Sequence, residues 1–260
     1  MGLGRDLRIG LRVDIKGPRV VKCVQLEGIR PLSTVANFLQ QANLDGFDEI
    51  CLVDTVASLY DREPGYDVIS QFASAVTVPL TVIGGINNIE VAHKVFESGA
   101  DRVGCCTAIF LNADLLGQIS SCYGAQALVP SLELKCINHP NREYQCTYLG
   151  GRELSKFTLM ECLRHLSLHC SYGEILITSV DAEGTGKGLD MNILDKYPAE
   201  SSHRVILSGG IGKISDFGVL ADSPIVSSVL CSQLFNVSKV DIQSAKDFIS
   251  KNSARCLRNL

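Results

Sequence analysis

Two stretches of this chain carry the same punctuation 125 residues apart. "VIGGINNIEVAHKVF" begins at Val82 and "LSGGIGKISDFGVLA" at Leu207, so Gly84-Gly85-Ile86 falls on Gly209-Gly210-Ile211. The same offset lays Cys106-Thr107 on Cys231-Ser232 and Phe110 on Phe235. Two acidic pairs follow at nearly that spacing: Asp54 with Asp181, 127 apart, and Asp14 with Glu133, 119 apart. Self-similarity at a fixed period means that one structural unit has been used twice, in the same order. The fold must therefore divide into two equivalent halves.

Each half holds four short apolar runs. In order they are "LRIGLRVDI", "EICLVDTVAS", "VPLTVIGGI", "RVGCCT", "ALVPSLEL", "EILITSVD", "HRVILSGGI" and "SSVLCSQ". Continuous Val/Ile/Leu runs of this length suit strands buried on both faces, as in a parallel sheet. Amphipathic patterns lie between them. "TVANFLQQANLDG" stripes Val35, Phe38, Leu39 and Ala42 and closes at Gly46; "NIEVAHKVFESGA" stripes Ile89, Ala92, Val95 and Phe96, with Asn88 as N-cap and Gly99 as stop. "LLGQISSCYG", "LSKFTLMECLRHLSLHC" and "DIQSAKDFISK" read as further helices. Eight strand–helix units in this length predict a single (β/α)8 TIM barrel over residues 1–260, with a twofold half-barrel repeat. A doubly wound open sheet is the alternative. The one irregular insert, residues 135–151 after the fifth strand, reads as a two-stranded hairpin flap.

Composition bounds the partners. The formal net charge is -4 and no basic block occurs, which argues against nucleic acid or an anionic membrane. No apolar stretch approaches the roughly 18 residues of a membrane span, and the N-terminus lacks a signal-peptide run. Gly2 is present, but Asp6 stands where a myristoylation signal needs Ser or Thr. A cytoplasmic protein is the expectation. The eleven cysteines are odd in number, form no C-x-x-C and sit mostly in apolar runs, so they read as small core residues, not as a disulfide framework.

In such a barrel the strand C-termini line the working face. That face would carry Asp14, Asp54, Glu133 and Asp181, with glycine-rich loops after strands three, six and seven. Such loops expose backbone N–H groups to an anion. The repeated Gly-Gly pair points to two anion sites across the mouth and a substrate with two phosphate ends; alternatively the glycines only permit tight turns.

The segments "VDIKGPRVVK", "DEICLVDTVAS", "TVIGGI", "EILITSVDAEGTGKGLD" and "LSGGIGK" carry a family resemblance over about Arg8 to Phe235. They resemble the cyclase subunit of imidazole glycerol phosphate synthase, a half-repeat barrel. The resemblance implies a barrel that takes ammonia from a separate glutaminase subunit at its N-terminal face, adds it to a bisphosphorylated ribulosyl substrate, cleaves that substrate and closes an imidazole ring. It implies Asp14 as general acid/base, with the fifth-strand position, here Glu133, sharing the work. Substrate or phosphate contacts would fall on Lys22, Gly85, Thr107, Asp181, Glu183, Gly184, Thr185, Gly209, Gly210 and Ser232. No cofactor and no metal are implied.

The departures are specific. Glu133 replaces the usual Asp, Ile83 the first glycine of the first phosphate loop, and Cys106 the usual Asn. The first phosphate site looks eroded and the second kept. At the opposite end, Arg8, Glu49, Arg102 and Glu174 match the ring of alternating charges through which ammonia enters; a salt-bridged plug filling the floor is the plainer reading. An intact entrance with an altered mouth, together with "DIKGPRVVKCVQLEGIR", "VASLYDR" and "GTGKG", is similar to the glycosyl amidation-associated paralogues of surface-polysaccharide gene sets. That likeness implies a barrel relaying ammonia to a third amidotransferase protein, which converts a sugar acetamido group to acetamidino. An authentic cyclase–lyase of histidine biosynthesis and a noncatalytic scaffold that activates a glutaminase are the alternatives. Lys16 and Lys187 read equally as phosphate contacts or solvated loop lysines. His165 and His169 share a helix face but lack a third ligand.

Overall fold

The computed structural model describes residues 7–138, 141–199, 201–220 and 223–252. Gly2 and Asp6 lie outside them, as do positions 139 and 140 of the flap. Eight parallel strands close on themselves. They are β1 (Arg8–Lys16), β4 (Glu49–Asp54), β5 (Leu80–Ile83), β6 (Arg102–Cys105), β7 (Leu128–Asn138), β10 (Glu174–Ser179), β11 (Arg204–Ser208) and β12 (Val226–Cys231). Pairing runs β10-β11-β12-β1-β4-β5-β6-β7 and closes through β7 with β10, where Glu133 stands opposite Thr178. This is the (β/α)8 barrel that the alternation of runs predicts.

The alternation of side chains along β1 sorts the interior from the outer core. Leu7, Ile9, Leu11, Val13 and Ile15 pack outward in the main apolar core with the helices. The even positions Arg8, Gly10, Arg12 and Asp14 therefore face the lumen. A second, separate apolar cluster lies inside the barrel: Cys51, Ile83, Val129, Leu176, Ile206 and Leu230. Gly10 and Gly104 make room for it. A Cβ at Gly10 would run into Leu230 and Glu49, and one at Gly104 into Ile83.

Helices α1 (Val35–Gln41), α2 (Tyr66–Ala75), α3 (Ile89–Glu97), α4 (Thr107–Leu111), α5 (Asp114–Tyr123), α6 (Leu159–His169), α7 (Asn192–Asp195) and α8 (Ile242–Asn252) surround the strands. Asn88 caps α3 by accepting from the Val91 N–H at 2.9 Å, and Gly99 follows it at φ 103°. The outer ring is thinner in the second half: α7 has four residues, and after β11 the chain makes only a tight 3-10 turn over Ile214–Leu220.

Three expectations need correction. The flap is larger than 135–151: β7 runs on to Asn138 and continues antiparallel into β8 (Glu143–Tyr148) and β9 (Glu153–Thr158). "LSKFT" is therefore strand, not the first turns of a helix. Thr158 and Glu161 form a capping box that starts α6 only at Leu159. Second, a matching hairpin follows β1, made of β2 (Arg19–Val24) and β3 (Gly28–Thr34). Third, α1 stops at Gln41, capped by Ala42, and does not run to Gly46. The two hairpins are themselves a repeat: Cys23, Leu26 and Gly28 correspond to Cys146, Leu149 and Gly151 at an offset of 123. Leu26 and Leu149 both take positive φ, 61° and 54°.

Candidate active site

The floor of the lumen is a closed ring of four charges. Arg8 Nε lies 3.1 Å from Glu49 Oε1, and its Nη2 lies 2.7 Å from Glu174 Oε2. Arg102 reaches the same Glu174 oxygen at 3.2 Å and bonds Glu49 with its other nitrogen. Ser228 donates to Glu49 and Ser227 to Glu174. Burial pushes the Glu49 carboxyl up, but Arg102 and Arg8 outweigh it and the net shift is down from 4.5. Two positive and two negative side chains cancel, so the ring is closed without net charge.

At the other end of β1, Arg12 dominates. It is 4% exposed, and its Nε donates to Asp14 Oδ1 at 2.8 Å. Its Nη1 lies 3.4 Å from both Thr178 Oγ1 and Ser208 Oγ, and 3.9 Å from Glu183 Oε2. Lys22, carried in by β2, completes the cluster with Nζ 3.3 Å from Glu183 Oε1. Asp14 is fully buried, and its second oxygen, Oδ2, has no hydrogen-bond partner among the described residues. Reading the first run as uniformly apolar hides Arg12; the alternation Arg8, Gly10, Arg12, Asp14 is the signal that finds it.

Glu133 is half-buried on β7 and borders a cavity of about 40 Å³ with Arg12, Val53, Ile83, Gly104 and Thr107. Its Oε2 accepts the Gly151 N–H at 2.9 Å, a contact delivered by the second hairpin. Desolvation pushes its pKa from 4.5 up to about 7, against the pull of Arg12 and the Gly151 bond. A carboxyl poised near neutrality can both give and take a proton. Cys106 beside it is the opposite case. Burial and then the Glu133 charge raise its thiol well above the ordinary 9.0, and its Sγ points at the Thr147 carbonyl 3.7 Å away. It is not poised as a nucleophile.

The structure divides the expected anion-binding residues into two sets. Gly85 and Thr107 line the mouth cavity, although the Gly85 N–H is given to Ser58 Oγ at 3.1 Å and Thr107 Oγ1 accepts from Leu149 N at 3.2 Å. Gly209, Gly210, Glu183 and Ser232 are buried. Gly210 accepts the Gly188 N–H at 2.8 Å, and a Cβ on Gly210 would collide with the Gly188 carbonyl. Gly184 packs under β2 against the Cys23 carbonyl, and Thr185 Oγ1 donates to Ala182 O at 2.7 Å. Gly184 and Gly210 thus lie backbone on backbone, Thr185 lines the groove outside, and Gly85 and Thr107 of the first-half side border the cavity. Asp181 sits outside the mouth: its Oδ2 accepts the Cys136 N–H at 2.8 Å and it lines an outer groove with Arg142, Lys187 and Asp190. Its repeat partner Asp54 accepts two 2.8 Å bonds from Arg62, another mouth residue that spacing did not single out.

Residues 8–241 match the family model described as "Histidine biosynthesis protein". The chain belongs to this family. Among its relatives are proteins named imidazole glycerol phosphate synthase subunit HisF. The one from Legionella pneumophila is 35% identical, over 82% of this chain and 99% of that protein. The one from Leifsonia xyli subsp. xyli is 32% identical over 94% and 95%, and that from Streptomyces griseus subsp. griseus 32% over 90% and 92%. Within the family frame the strand-start ring and the strand-end carboxylates occupy opposite mouths of one barrel. Among the described residues no group of three or more His, Cys, Asp or Glu is placed to hold a metal, the cysteines are free thiols, and no helix is long and apolar enough to cross a membrane.

Proposed function

We propose that the chain is the ammonia-using barrel of a glutamine-dependent synthase of the imidazole glycerol phosphate synthase kind. Ammonia released by a glutaminase docked at the strand-start face enters at the Arg8–Glu49–Arg102–Glu174 ring, crosses the apolar interior and reacts at the mouth. The observation that carries this reading is the pairing of ends on one lumen. A neutral charge ring closes the floor, and a carboxyl with a pKa of about 7 stands at the opposite exit. Adding ammonia to a carbonyl and closing an imidazole ring both require proton transfers at the same centre, which a group poised near neutrality serves. Asp14 is ion-paired with Arg12, which also lines the cavity bordered by Glu133. Supplying ammonium salts and the bisphosphorylated ribulosyl substrate to the purified barrel should give imidazole product, and Glu133→Gln should lower kcat by about 10²–10⁴-fold. Absence of turnover in the wild type at millimolar ammonium refutes the cyclase assignment.

A second reading is favoured by the mouth itself. The cavity beside Glu133 is only about 40 Å³, Asp14 is tied to Arg12, and the second-half loops are packed together. These suit a barrel that relays ammonia to a third amidotransferase protein acting on a surface-polysaccharide sugar. A barrel that binds and stimulates a glutaminase yet makes no imidazole supports the relay; one that does neither rules out both.

A further inference from the structure

The upper lumen has a layered build that the charge ring does not explain. Above the ring comes the apolar collar of Cys51, Ile83, Val129, Leu176, Ile206 and Leu230, one residue from each of six strands. Above the collar comes Arg12. Strand β12 lies between β1 and β11, and β10 lies beyond β11. A β1 side chain that touches Thr178 on β10 and Ser208 on β11 therefore crosses the lumen. It fills the second-half side. The cavity bordered by Val53, Ile83, Gly104, Thr107 and Glu133 opens on the other side, with Arg12 as its wall.

A second observation concerns Asp14. Its Oδ2 is buried and unpartnered among the described residues, in a carboxylate with no exposed surface. Such an oxygen takes an N–H or O–H donor. The local charges decide which kind. Arg12 and Lys22 are already matched by Asp14 and Glu183. A further cation there would be a buried charge in excess, and buried charges are tolerated only when paired. A small neutral donor meets both conditions.

We propose that Arg12 is the selectivity residue of ammonia delivery: its fixed positive charge keeps ammonium out of the upper lumen, leaves Asp14 Oδ2 as the acceptor for neutral ammonia, and turns the exit towards Glu133. This rests on the reading that the barrel uses ammonia. Converting Arg12 to an uncharged residue leaves Asp14 and Glu183 facing Lys22 alone, so the site becomes cation-seeking.

Thallous ion, a monovalent cation close to ammonium in size, is the probe. Crystals of the full chain as wild type, Arg12→Met and Arg12→Lys are soaked in thallous acetate and read by anomalous scattering. The expected result is no peak at Asp14 and Glu183 in the wild type or Arg12→Lys, and a peak there in Arg12→Met. A peak in the wild type or in Arg12→Lys overturns the proposal, as does its absence in folded Arg12→Met. If Arg12→Met does not fold, the wild-type and Arg12→Lys soaks still decide. The soak needs no turnover: cation exclusion without any ammonium-dependent chemistry sinks the cyclase reading and leaves the role of Arg12 in charge selection standing.

Discussion

Replacing Glu49 by Gln tests whether the floor is held by charge or by shape. The substitution keeps volume, so no cavity term enters. It removes one of the ring's two negative charges and turns an amide N–H₂ towards a guanidinium that can only donate. The Glu49 side chain is 3% exposed, so solvent cannot replace what is lost, while Arg8, Arg102 and Glu174 are 20%, 14% and 17% exposed and recover part of their hydration. Removing one member of a fully buried pair costs roughly 3–5 kcal/mol; the partial exposure of the other three places this case at about 3 kcal/mol. With seven tyrosines and no tryptophan, urea unfolding is best followed by far-UV circular dichroism. The pH dependence has a definite sign. The folded Glu49 carboxyl lies below its ordinary 4.5, so its contribution is present above 4.5 and is lost as the pH falls through the folded value. The gap between wild type and Glu49→Gln should therefore be full at pH 7 and shrink in acid. Adding Arg102→Met should return part of the loss, because it removes the guanidinium left without a counter-charge. A Glu49→Gln protein within about 1 kcal/mol of wild type at pH 7, or strictly additive losses in the double variant, would refute the view that the ring is held by charge.

Glu133 gives the opposite pH signature. Its folded pKa is raised to about 7 from 4.5, so the wild type should lose up to about 3 kcal/mol as pH rises between those values, and Glu133→Gln should flatten that slope in unfolding experiments. Gly210→Ala places a methyl against the Gly188 carbonyl at φ 105°; it should destabilise by 2 kcal/mol or roughly more and raise hydrogen exchange in residues 184–188. Thr158→Ala removes the α6 capping box and should lower the unfolding free energy by about 1 kcal/mol.

The barrel was legible because its strands are buried on both faces and read as unbroken apolar runs, and because glycine pairs mark the half-barrel repeat. The hairpins were harder for physical reasons. Gly28 and Pro31 make the first read as loop, yet Pro31 sits on the exposed edge strand β3, where its missing N–H is no loss. The last strand of the second runs straight into the helix that follows, so the two share one apolar pattern, although the Thr158–Glu161 spacing marks the true start. The family resemblance pointed to the four floor residues, and these four side chains do meet. Sequence could not show that the glycines after β10 and β11 pack on each other. Glycine permits close approach without saying to what.

The two hairpins meet different glutamates, Glu183 in the loop after β10 and Glu133 on β7. Each hairpin brings a donor to the mouth, but not the same kind. The first brings Lys22 to Glu183 at 3.3 Å; the equivalent position in the second, 123 residues on, is Gln145, which donates instead to the Ser155 carbonyl at 2.5 Å. The second brings the Gly151 N–H to Glu133, and Gly28, its equivalent, stays exposed in β3. One half of the mouth is thus supplied with full positive charge and the other with a single backbone dipole. A dipole offsets desolvation less than an ammonium does, so Glu133 is left near neutrality while Glu183 lies in a matched ion cluster. Duplication provided two similar frames; the first sets a lysine against Glu183, while the glutamine at the equivalent position of the second turns back to the Ser155 carbonyl of its own hairpin.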